Sequence, residues 1–92
     1  MARATPMKLP PGFSWEGDEE NATGPMSLLL EDRQILHIRP QRSGWVVEIT
    51  MVDPERPQPE VAVRSVAAGM RWSARWVNGR RERLQKLLEG RV

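Results

Sequence analysis

Between Trp45 and Val52, Trp45, Val47, Ile49 and Met51 fall on one side of an extended chain and Val46, Glu48, Thr50 and Val52 on the other. Period two of this kind is the mark of a half-buried β-strand, and this one is expected to be central in a sheet. Met26 to Glu31 and Gln34 to Arg39 are two further short runs rich in Leu and Ile. Asp32 and Arg33 between them have the length of a tight hairpin turn. Pro40 to Gly44 reads as the next connection. Ahead of these, Pro10, Pro11 and Gly12 form a turn, after which Phe13 and Trp15 alternate with Ser14 as a short edge strand. Gly17 to Pro25 mixes like charge with turn formers and reads as a loop. Asp53 to Pro59 holds three prolines and cannot join a ladder, whereas Val61 and Val63 bracket Ala62 in a last short strand.

At Ser65, a good N-cap, the period changes. Val66, Met70, Val77, Leu84 and Leu88 fall within about 40° of one another at 100° per residue. Asn78 and Gly79 would ordinarily end a helix, but the stripe keeps its phase across them, which favours one continuous helix from about Val66 to about Glu89, ended by Gly90, over a bend at Gly79 with the last turns folded back onto the sheet or frayed. The fold class is therefore α+β: an antiparallel sheet of four or five strands, a meander, covered on one face by a single C-terminal helix. Residues 9–90 form this one domain and residues 1–8 a disordered tail.

Composition narrows the functional classes. A chain of 92 residues has no room for a second independent core, and 39% apolar content with four Trp is that of a globule rather than a disordered chain. Zero Cys removes disulfides, thiolate metal sites and cysteine nucleophiles. No apolar run approaches the ~20 residues of a membrane span, and no leader-like segment opens the chain, so the expected location is cytoplasmic. Asn21, Ala22 and Thr23 spell a glycosylation acceptor that has no meaning there. Charge is unevenly spread. Residues 1–60 carry six basic and ten acidic groups, a net of −4, whereas residues 61–92 carry eight basic and two acidic, a net of +6.

Candidate chemistry is sparse. His37 is the sole imidazole, too little for a triad or a His-rich metal site. Asp18, Glu19 and Glu20 are consecutive and lack the spacing that aims carboxylates at one ion. No phosphate loop, dinucleotide fingerprint or nucleophile elbow is present. No catalytic, cofactor or metal residue is assigned, and the chain is read as a non-enzyme. Trp72 and Trp76 lie one helical turn apart beside the apolar stripe. The simpler reading is that they clamp the helix to the sheet near Trp45. The alternative is a stacking platform for nucleic acid, with Arg71, Arg75, Arg80, Arg81 and Arg83 as contacts.

A helix of about 24 residues is roughly 36 Å long, against about 20 to 27 Å for strands of six to eight residues. It is expected to overhang the sheet and expose Leu84, Leu87 and Leu88 as a self-association surface. The sheet's other face would add Leu29, Val46 and Val52, partly shielded if the Phe13 and Trp15 segment folds across it. The expected function is a small protein-interaction module that forms a homodimer, and the second is a nucleic-acid-binding accessory protein using the basic C-terminal helix.

Leu9, Pro10, Pro11, Gly12, Phe13 and Trp15, then Gly44 and Trp45, then Met70, Trp72, Ala74 and Trp76 together resemble a group of small uncharacterised proteobacterial proteins. The resemblance spans roughly residues 9 to 88, and its motifs are aromatic packing positions, so it implies no activity. In architecture alone, a meander followed by a helix is also similar to the DNA-binding domains at the front of phage integrases. It is similar too to double-stranded-RNA-binding domains, which begin with a helix that this sequence does not supply.

Overall fold

A computed structural model describes residues 9–17, 24–51, 53–55 and 60–90. The expected tail at 1–8, the carboxylates at 18–20, the acceptor motif at 21–23 and Val52 lie outside the described residues. Five strands, β1 (Phe13–Gly17), β2 (Met26–Leu30), β3 (Arg33–Gln41), β4 (Gly44–Ile49) and β5 (Glu60–Val63), precede two helices, α1 (Val66–Asn78) and α2 (Arg81–Glu89). The strands form one antiparallel sheet in the order β1-β2-β3-β4-β5. This is the α+β meander that the alternation predicts, with β4 flanked on both sides.

Both central hairpins close in two residues, each at a position the residue types disguise. Leu30 pairs with Arg33, so the first turn is Glu31–Asp32, one residue earlier than the apolar pattern suggests. Glu31 takes φ 56° there, the positive φ that the favoured two-residue hairpin turns have at their first central position. Gln41 pairs with Gly44, making Arg42–Ser43 the second turn. Pro40, expected in the connection, sits inside β3 opposite Trp45. The ladder tolerates it because β2 reaches only to Ile38, leaving that end of β3 bare on one side. Between Leu28 and Leu29 the β2–β3 register shifts by a bulge. The extra residue is Ile35, and both it and Leu36 are fully buried. The Ile35 carbonyl accepts from the N–H groups of Thr50 and Met51, which ties the end of β4 to the bulge.

Ser65 caps α1 as its type predicts, its Oγ accepting from the Ala68 N–H at 3.1 Å. The helix then buries Val66, Gly69, Met70, Ser73, Ala74 and Val77. Gly69 sets the helix-to-sheet distance. A methyl group there would lie 3.2 to 3.3 Å from Ile38 Cδ1, Val47 Cγ2 and Val63 Cγ2, so α1 crosses β3, β4 and β5 closely enough that even an alanine would need those side chains to shift. Residues paired with these three, or two positions along, share the helix-covered face. Met26, Leu28, Leu36 and Ile49 join them there in the core. Phe13 and Trp15 pair with Leu30 and Leu28, which puts them on this same face instead of across the other one.

The single continuous helix is not what forms. The Arg80 N–H bonds to the Val77 carbonyl at 3.1 Å, a tightened last turn, and Arg80 leaves helical geometry with φ −132° and ψ 16°. Regular bonding resumes with the Leu84 N–H on the Arg80 carbonyl at 2.9 Å. A straight helix would carry its last three turns past strands of four to nine residues. The bend instead returns Leu84 to the core, where it is only 2% exposed. The preserved phase of the apolar stripe therefore reflects two helices covering one sheet. Gly90 ends α2 in the left-handed conformation, φ 70°, as a helix-terminal glycine does.

Candidate interaction surface

The bend sorts the basic residues of the last third into two kinds. Arg83 is committed. Its guanidinium donates to both carboxylate oxygens of Asp53, at 2.6 and 3.0 Å, and lies 3.7 Å from Glu55. The fork geometry is the strong form of this contact. With side-chain exposures of 19% for Arg83 and 13% for Asp53, the pair is shielded more than a surface pair. The Asp53 hydrogen bond raises the Arg83 pKa above its ordinary value, against a lowering by desolvation and with support from the Asp53 and Glu55 charges. This contact fastens α2 to the segment after β4, and it takes Arg83 out of the nucleic-acid set proposed for it. Asp53 has no sequence signal of this role, thirty positions away in a proline-rich stretch.

Arg71, Arg75 and Arg81 are exposed, and among the described residues none of their side chains has an ion pair or hydrogen bond. Arg71 and Arg75 form one ridge of α1 by their i, i+4 spacing. On the adjacent ridge Trp72 and Trp76 stack with ring centroids 6.2 Å apart and planes 16° from parallel. The Arg80 guanidinium continues the series, its Cζ 5.1 Å from the Trp76 centroid, a cation–π contact. Both rings are partly buried against the core, as are Trp15 and Trp45, which is the packing that the clamp reading requires. Both also keep part of their surface open.

At the bend, Asn78 to Arg83 line an open cleft of about 350 Å³. The start of α2 has no side-chain cap, and its first N–H groups face this end of the molecule. A second hollow of about 220 Å³ lies between Pro10, Pro11 and Phe13 on one side and Arg81, Glu82 and Gln85 on the other. Of the proposed self-association residues, Leu84 is withdrawn into the core of its own chain, while Leu87 and Leu88 are half-buried against that core. The overhang expected to expose all three does not exist.

The sheet face away from the helices has a different character. The register brings Glu16, Ser27, His37, Glu48 and Glu60 into one row across all five strands. Ser27 Oγ and His37 Nδ1 are hydrogen-bonded at 3.0 Å. Arg39 lies 3.2 Å from Glu48 and 3.7 Å from Glu60. Val46, on the same face, is only 2% exposed and Leu29 is half-buried, so little bare apolar surface remains. Only the strand register aligns this row; no spacing in the sequence does. Among the described residues no three His, Cys, Asp or Glu are placed to hold a metal ion, and no described helix is long and apolar enough to cross a membrane. The chain matches no family model, and no curated protein or solved structure is similar to it.

Proposed function

We propose that the chain is a small non-enzymatic interaction module that presents the exposed face of its helical layer to an acidic partner. The observation that carries this reading is the contrast among its arginines. Arg39 and Arg83 are neutralised by Glu48, Glu60 and Asp53, whereas Arg71, Arg75 and Arg81 stand exposed and unpaired among the described residues. The unpaired arginines outnumber the exposed Glu82 and Glu89 of the helical layer, and with the Glu16, Glu48 and Glu60 row on the other face they orient the molecule toward a negative surface. Titration with heparin, as a generic polyanion, tests it. Binding is expected at low salt, weakening as salt screens it, and lost in an R71E/R75E variant that melts like the parent. Retention of binding by that variant would overturn the reading.

Self-association is a second reading, supported by the part-open Leu87 and Leu88 at the end of α2. With Leu84 buried it rests on two leucines in place of three. Light scattering at high protein concentration tests it: a mass near 10.5 kDa, that of one chain, refutes the homodimer.

A further inference from the structure

We infer that the acidic partner is a single-stranded nucleic acid, lying along α1 with its phosphates on the Arg71 and Arg75 ridge and its bases against the Trp72, Trp76 and Arg80 column. The inference rests on the proposed helical interface and adds its chemistry. Charge alone does not distinguish a nucleic acid from an acidic polypeptide. The column does. Three planar groups succeed one another at i, i+4 and i+8, with the two indoles near parallel and a guanidinium over the second. The step from Trp72 to Trp76 advances about 6 Å along the helix axis, close to the 6.2 Å between the ring centroids, and Arg80, past the end of α1, brings its Cζ to 5.1 Å from the Trp76 centroid. Arg80 is exposed, so a base either stacks on its guanidinium plane or takes its place over Trp76. Both are ways in which proteins hold unpaired bases.

A duplex is disfavoured by the same geometry, because its bases have no free face for the column. The indoles are half-buried against the core, which leaves only part of each ring for a ligand. On the opposite face Glu16, Glu48 and Glu60 outnumber the one Arg39 that pairs with the last two, and this net negative charge disfavours a phosphate backbone there. Arg81, beyond the column and also unpaired among the described residues, extends the basic track past the bend. Nothing in the arrangement reads base edges, so binding is independent of sequence.

Fluorescence anisotropy with a labelled random single-stranded oligonucleotide tests this, with poly-glutamate and a duplex of the same sequence run in parallel. The expected result is binding of the single strand with quenched tryptophan emission. The logarithm of affinity should fall against the logarithm of salt with a slope of about −2 to −3, for three to four phosphates at roughly 0.7 each. R71E/R75E should abolish binding. Trp76→Leu, which keeps apolar bulk, should weaken the oligonucleotide at least about fivefold and leave poly-glutamate unchanged. Poly-glutamate bound without the oligonucleotide overturns this inference and spares the proposed interface. Failure of both ligands at about 100 μM, a level at which even weak non-specific binding is seen, overturns both. Equal loss of both ligands in Trp76→Leu, or tighter binding of the duplex, overturns the stacking geometry.

Discussion

Leu84→Ala separates a core position from a surface one more sharply than any other change. Leu84 is 2% exposed, and it is the one residue of α2 that is fully inside. Replacing a buried Leu by Ala removes its transfer free energy and leaves a cavity, about 2 to 5 kcal/mol together. Helix propensity does not add to the loss, since Ala is the better helix former. A chain of this size has about 5 to 14 kcal/mol in all, at roughly 0.05 to 0.15 kcal/mol per residue. A mid-range loss of about 3 kcal/mol should then lower Tm by about 12 to 24 °C, at about 4 to 8 °C per kcal/mol. Urea unfolding followed by tryptophan emission should show the midpoint falling by about 3 M, at a slope near 1 kcal/mol/M. The loss should not change when protein concentration is raised a hundredfold, because the contacts are within one chain. Leu88→Ala, half-buried, should lose less than half as much. A Leu84→Ala protein that unfolds like the parent, or whose loss shrinks with dilution, would mean that α2 does not fold back as described.

Gly69→Ala sets a propensity gain of about 1 kcal/mol against overpacking of about 1 to 3 kcal/mol, so it should be neutral to destabilising, with Gly69→Val worse; a gain of the full propensity term would show that α1 sits farther from the sheet. Ser65→Ala should remove about 1 kcal/mol by uncapping α1, read as a Tm lower by about 4 to 8 °C, and Ser65→Asp should restore most of it. Arg83→Met should lower Tm more than Arg75→Met does, because Arg83 alone of the two has a carboxylate partner, and Asp53→Asn should reproduce part of that loss. Equal melting of the two arginine variants would show that the Asp53 contact does not hold α2 in place.

The meander was legible because each strand is a local event. The alternation at Trp45 to Ile49 and the Leu-rich and Ile-rich runs decide themselves over a few residues, and sequential strands tend to be neighbours. The turn residues were displaced by one because Glu31 has no preference for positive φ, and only pairing to Leu30 and Arg33 imposes it. Asn78 and Gly79 do signal the break beside Arg80, but the apolar phase outweighs them. Two helices lying on one sheet keep the same apolar phase as one straight helix, so periodicity cannot distinguish them. Length could, and the mismatch between helix and strands, read as an overhang, was the evidence for the bend. The stacked tryptophans followed from their i, i+4 spacing. The Arg83 and Asp53 pair did not, because a contact across thirty residues depends on the whole fold.

The order of elements along the chain gives the bend a consequence during synthesis. By Val63 the sheet has every strand it needs, and its neighbours in space are its neighbours in sequence, so the hairpins can close as they leave the ribosome. Their apolar face acquires its last cover only when Leu84 emerges and α2 turns back. At about 5 to 20 residues per second, those last twenty or so residues take roughly one to four seconds. Until α1 and then α2 are in place, the nascent sheet stands with core side chains such as Met26, Leu28, Leu36 and Ile38 open to water. Early hairpin closure lengthens this exposure, which makes the unfinished sheet, more than the unfolded chain, the form of this protein that a chaperone would hold.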